Sequence, residues 1–214
     1  MPASVPPPVG RLHVVTDTDL QRRHTHAELA RLSALGGADT VQFRHKRGTT
    51  RDRWTALVEV AEACHMSSVA LVVDDHTDLA LAVGAGVHVG QTDLPVDVVR
   101  RLLGPVAVVG ATASTVAEAV AAEAAGATYV GFGPVFGTAS KENPAPAPGL
   151  DGLAAACAAV RIPVIAIGGI TLAHVSDVLG AGAWGIAVLS AVVCADDVTA
   201  AAAQFAGEIE RWKG

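Results

Sequence analysis

The sequence predicts a single-domain α/β chain closed into a (β/α)8 TIM barrel, and three observations carry that expectation. Short β-branched runs recur eight times, each followed by a stretch of helix-forming residues. Strand–helix alternation of this kind requires a parallel sheet with crossover helices. Eight such units within 214 residues suit a closed barrel better than an open doubly wound sheet, the alternative that strand order alone would separate.

The elements follow in order. Residues 1–10 read as a flexible Pro-rich tail, without the basic segment and apolar run of a secretion signal. The barrel domain then occupies 11–214. Strands are expected at 12–16, 40–43, 70–73, 87–89, 106–110, 129–133, 164–167 and 185–188. Helices are expected near 26–36, 51–65, 77–83, 96–103, 114–125, 150–160, 172–180 and 196–212. Several helices share one exit device: Gly36-Gly37-Ala38, Gly84-Ala85-Gly86, Gly126-Ala127 and Gly180-Ala181-Gly182-Ala183 each precede a strand. Glycine accepts the left-handed conformation that ends a helix. Ser114-Thr115 before Glu118, and Asp196-Asp197, have the chemistry of helix starts. The one long irregular connection, near 132–149, is rich in Gly and Pro, and loops of that length in compact domains are usually functional or disordered.

Composition narrows the function. A net charge of -6 argues against nucleic acid as partner. Gly, Pro and charges interrupt every apolar run that could cross a bilayer. Three cysteines, Cys64, Cys157 and Cys194, form no Cys-x-x-Cys pair, which fits a reducing cytoplasm rather than a disulfide scaffold, and Cys157 and Cys194 lie in Ala/Val surroundings that suit apolar packing. The eight histidines show no metal-binding spacing, and His88 reads as a hydrogen-bonded interior residue.

In a barrel, function sits where the strands end, and the unusual polar residues fall there. In Val41-Gln42-Phe43-Arg44-His45-Lys46, strand alternation sends Gln42, Arg44 and Lys46 to one face and Val41, Phe43 and His45 to the other. That is a floor for an anion. The chain has twelve Arg but only three Lys, so Lys46 and Lys141 are candidates for a compact point charge on a phosphate. Asp74 after the third strand and Asp93 after the fourth could converge on Mg²⁺, which takes one or two carboxylates plus water and substrate phosphate; the alternative is that Asp75 and Asp93 cap the helices that follow. Thr138, Ser140 and Lys141 lie in a glycine-bearing loop that an anion could approach closely. Gly169 in Ile167-Gly168-Gly169-Ile170 and Ser190 in Leu189-Ser190-Ala191 match the phosphate site that barrels often build after strands seven and eight.

Taken in this order and spacing, Val41–Lys46, Asp74-Asp75 with Asp78-Leu79-Ala80, His88-Val89-Gly90-Gln91-x-Asp93-Leu94-Pro95, residues 131–141, 165–170 and 185–191 resemble the thiamine-phosphate synthase family. The resemblance implies a (β/α)8 transferase that joins hydroxymethylpyrimidine diphosphate to thiazole phosphate, with Mg²⁺ as cofactor. Thiamine monophosphate and pyrophosphate are the implied products. It also implies small phosphorylated partners, with a homo-oligomer open. Carried over by position, Gln42, Arg44 and Lys46 hold the pyrimidine diphosphate and Asp74 and Asp93 bind the metal. Thr112, where the family usually has Ser, contacts the same substrate. Thr138 and Ser140 contact the thiazole phosphate, Lys141 the diphosphate, and Gly169, Leu189 and Ser190 form the phosphate pocket. Arg44, Lys46 and Lys141 would act on the leaving group.

Two further departures stand out. Val73 occupies the place of a family Asn that contacts the pyrimidine, and His45 replaces an acid. The sister family of thiazole tautomerases typically carries a His where this chain has Ser114 and lacks the Gln91-x-Asp93 pattern. A catalytically silent barrel that binds thiamine intermediates is a third reading, and Val73 is its best support.

Overall fold

The structure, a computed structural model, describes residues 9–137 and 147–212. Eight strands, β1 (Leu12–Thr16), β2 (Thr40–Phe43), β3 (Ala70–Asp74), β4 (Gly86–Val89), β5 (Val109–Ala113), β6 (Tyr129–Phe132), β7 (Val164–Ile167) and β8 (Gly185–Val188), pair in sequence order, all parallel. Strand β8 returns to β1 and closes the barrel. Around it lie α1 (His26–Leu35), α2 (Thr50–Ser67), α3 (Thr77–Val83), α4 (Val96–Leu103), α5 (Val116–Ala124), α6 (Gly149–Ala159), α7 (Val175–Gly180), the four-residue α8 (Ser190–Val193) and α9 (Val198–Arg211).

Helix starts follow local chemistry. Thr25, Thr49 and Thr115 each accept from the backbone three residues on, and Glu28, Asp52 and Glu118 reach back to complete capping boxes. Asp197 caps α9 through the Ala200 amide. At helix ends, Gly84 and Gly126 take φ of +68° and +96°, where a side chain would be strained.

The strand faces divide the core. Val41, Phe43, Val73, Val87 and Val89 point outward and pack on Leu57 and Val60 of α2, Leu79 of α3 and Val99 of α4. Inside the barrel, Val15, Tyr129, Ile165 and Ala187 form the central plug. Val9 is buried, and its carbonyl accepts the Trp184 indole N–H at 3.0 Å, so the ninth residue of the expected tail packs on the barrel floor.

Four expectations shift. The fifth strand begins at Val109, not 106. Arg100 bonds the carbonyls of Gly104, Pro105 and Ala107, which removes those groups from the ladder, and Val106 is left 93% exposed. The helix expected near 172–180 divides into a 3-10 turn at Leu172–His174 and α7. Helix α8 has no expected counterpart. Cys194 is exposed rather than packed. No helix among the described residues is long and apolar enough to cross a membrane.

Candidate active site

Strand β2 delivers two cations to the barrel rim. Gln42 is buried inside. Arg44 pairs through one guanidinium nitrogen with Asp17, and its Nε lies 4.0 Å from Asp74. Asp17 is itself held: its second oxygen accepts the Asp19 and Leu20 amides at 2.7 and 3.0 Å. Lys46 Nζ sits 2.7 Å from Asp74 and also bonds Asp75. On the opposite side of the strand, His45 stacks on His26 with centroids 5.0 Å apart and tilts against Phe43, so the expected alternation holds.

Strands β3 and β4 supply the acids. Asp75 turns with φ +63°, its amide donating to the His88 carbonyl at 2.8 Å. Its carboxyl meets that of Asp93, which accepts the Gly90 amide at 2.7 Å. Neither acid caps a helix: α3 starts from His76 and α4 from Pro95, both without a side-chain cap bond.

Crowding sets the protonation. Burial, then repulsion from Asp75, pushes the Asp74 carboxyl above its ordinary range, against the pull of Lys46 and Arg44. Burial, with Asp75 adding repulsion, likewise raises Asp93, against the Gly90 amide. Burial works against the charge on Asp75 too, but the Lys46 ammonium outweighs it and holds this group low. Lys46 loses hydration, yet Asp74 and Asp75 more than compensate, and its pKa rises. The cluster therefore holds more negative charge than two cations comfortably balance. All its donors are hard oxygens, which suits a divalent cation such as Mg²⁺. Among the described residues no group of three or more His, Cys, Asp or Glu side chains is arranged to hold a metal by itself, and Mg²⁺ ordinarily takes only one or two carboxylates.

Across the rim the donors are backbone. Gly168 and Gly169 turn at φ +99° and +66°. The segment after β6 docks on them, with Val135 N–H on the Ile167 carbonyl at 2.8 Å and Phe136 N–H on the Gly168 carbonyl at 3.1 Å. His174 stacks on Phe136 at 4.0 Å. After β8, Leu189 leaves the extended conformation and α8 begins at Ser190. The first amides of a helix have no partner within it and face outward along its axis.

Thr112 lies within β5; its hydroxyl is 2.9 Å from His88 Nε2, and its carbonyl accepts the Gln91 amide at 2.6 Å. Thr138, Ser140 and Lys141 lie outside the described residues. Val73 is not brought to the rim. It is fully buried on the outward face, in register with Phe43 and Val87, because it precedes Asp74 and strand alternation opposes the two. Asp17 and the full part played by Asp75 were not foreseen. The polar run Thr16-Asp17-Thr18-Asp19 directly after the first strand was the signal for Asp17.

A cavity of about 850 Å³ opens at the other end of the barrel, lined by Arg11, Arg161, Trp184 and Trp212. Size alone does not mark the site, since the charged cluster gathers at the strands' C-terminal ends.

A family model described as thiamine monophosphate synthase matches residues 12–192. A thiamine-phosphate synthase of Salinibacter ruber is 52% identical over 210 residues, covering 98% of this chain and 92% of the relative. One from Methanoculleus marisnigri is 50% identical over 192 residues, covering 89% and 91%. The solved thiamine phosphate pyrophosphorylase of Pyrococcus furiosus superposes with a TM-score of 0.86 at 36% identity, covering 95% of this chain and 97% of that one. With fold, rim chemistry and close relatives in agreement, the chain belongs to the thiamine monophosphate synthase family.

Proposed function

We propose that this transferase joins hydroxymethylpyrimidine diphosphate to thiazole phosphate, releasing pyrophosphate and thiamine monophosphate. The observation that carries this reading is the pairing of Arg44 and Lys46 with a crowded carboxylate cluster at one side of the rim and a backbone anion cradle at the other. A reaction of this class breaks the pyrimidine methylene C–O bond, and the electron pair leaves on pyrophosphate. The thiazole nitrogen then closes a C–N bond on the methylene cation. No proton need move, which agrees with a site rich in charge and without an evident nucleophile.

In this reading Arg44 and Lys46, with Lys141 from the loop after β6, receive the developing charge of the leaving group. Asp17 holds the Arg44 guanidinium in place. Gln42 and Thr112 face the pyrimidine. The amides at Gly169, Leu189 and Ser190 anchor the thiazole phosphate, a role the resemblance also gives to Thr138 and Ser140, so that the two substrates lie in line. Asp74 and Asp93 would hold Mg²⁺, with Asp75 adjoining; when bound, the ion neutralises diphosphate charge. Val73 has no part in recognition, and with it goes the main argument for a silent barrel. The three free cysteines support a cytoplasmic setting.

The test is a coupled synthesis assay with and without Mg²⁺. Pyrophosphate release is expected only with both substrates and the metal together. Isomerisation of the thiazole phosphate without coupling would move the assignment to a tautomerase.

A further inference from the structure

We propose that Tyr129 and His88 are positioning residues, links in a hydrogen-bonded chain Gln42–Tyr129–His88–Thr112 that crosses the barrel interior and fixes how the two end groups meet the pyrimidine. The inference rests on the reading that Gln42 and Thr112 face that substrate.

The chain is built from three neighbouring strands and β2. The Tyr129 hydroxyl lies 3.0 Å from His88 Nδ1, and His88 Nε2 lies 2.9 Å from Thr112 Oγ1. The Gln42 side chain lies against the same phenol and interacts with it. Tyr129 is 1% exposed and His88 and Gln42 each 9%, so water does not compete for these bonds. Register places the parts together: His88 pairs with Gly110, which pairs with Tyr129, and Thr112 pairs with Gly131. Both glycines clear the space. A Cβ on Gly110 would lie 2.2 Å from the Tyr129 ring and 2.5 Å from His88 Nδ1, and one on Gly131 would lie 2.8 Å from His88 Cε1.

The bonds also have a direction. The Gln42 amide donates to the phenol oxygen, which leaves the phenol proton for His88 Nδ1. With Nδ1 accepting, Nε2 carries the ring proton and donates to Thr112 Oγ1. The Thr112 proton then points away from the chain, toward the cleft, ready for an acceptor nitrogen of a heteroaromatic ring. Burial keeps Tyr129 from ionising by raising its pKa. Two substrate contacts on opposite walls are thereby oriented as one unit.

A double-mutant cycle on the full chain tests this, with kcat and KM measured for each substrate. Tyr129→Phe should raise KM for the pyrimidine diphosphate about tenfold, leave the thiazole phosphate KM unchanged, and add less than about twofold in a Thr112→Val background. Independent, multiplying effects, or a rise in both KM values together, would overturn the coupling. Thr112→Val without any effect would remove the Thr112 contact itself, and the proposal with it. Should Tyr129→Phe fail to fold, His88→Gln is compared with His88→Leu. The Gln amide can still donate to Thr112 and should hold KM within about threefold of the parent, while Leu should not. Equal behaviour of the two would refute the chain.

Discussion

The two sides of the rim are built by opposite means. The β2–β4 side gathers five ionisable side chains, Arg44, Lys46, Asp74, Asp75 and Asp93, linked to one another by ion pairs and hydrogen bonds. The β7–β8 side offers backbone turned by Gly168 and Gly169 and the open amides of α8. A side-chain cluster carries fields strong enough to neutralise a leaving group, but its members must be held against one another's charge. A backbone cradle carries no net charge to desolvate and suits an anion that has only to be held.

Asp93→Asn breaks the first side most severely. The amide can still accept from Gly90, so the loop should stay, while turnover with Mg²⁺ falls by on the order of 10²-fold, the scale set by removing one electrostatic contact to a reacting charge. Full activity in a steady-state assay, with unchanged metal dependence, would end the metal assignment. The pH dependence of metal binding sharpens the same point. Asp74 and Asp93 both have raised pKa values, so they hold protons at pH values where an ordinary carboxyl, near 3.8, has lost them. A metal must displace those protons. Mg²⁺ affinity by calorimetry should therefore fall as pH is lowered toward these groups, approaching about tenfold per unit for each proton displaced. A flat profile would place the metal elsewhere.

On the second side, Gly169→Ala should act through the backbone. The position needs φ +66°, and the added Cβ would lie 2.7 Å from the Gly137 carbonyl. The expected result is a thiazole phosphate KM several times higher, an unaffected pyrimidine KM, and a loss of about 1–2 kcal/mol of stability by denaturant titration. Equal disturbance of both KM values would deny the division between the two sides. Val73→Asn is a control on the outward face. An amide buried there among Phe43 and Val87 should cost about 1–3 kcal/mol and leave pyrimidine affinity unchanged, since it cannot reach the rim. Tighter binding would show that the strand exposes this position after all.

Much of this was legible because it depends on neighbours in the chain. The period-two pattern of Val41–Lys46 orients Arg44 and Lys46 correctly, and even places His45 on the packing side. Thr115 and Glu118 announce their helix through their own hydrogen bonds. Other features escape a linear reading. The valine-rich run 106–109 offers several equally good strand starts, and the choice is made by Arg100, which engages the carbonyls at 104, 105 and 107. Asp75 and Asp93 look like helix caps in sequence, but their strands bring them together before either can turn to its helix. Val73 resembles a contact position by alignment alone, and only the strand's facing sends it into the outer layer.

The sequence by itself determined the number of strands, the face on which each rim cation stands and the glycines at which the chain turns, because these follow from alternation and local backbone energetics. Tertiary structure alone decided that Asp17 holds Arg44, that Asp75 joins Asp93, and that Tyr129 and His88 meet inside the barrel. Those contacts span 27, 18 and 41 residues along the chain. They exist because closing the sheet and setting its register bring the strand ends together, and no local preference encodes that closure.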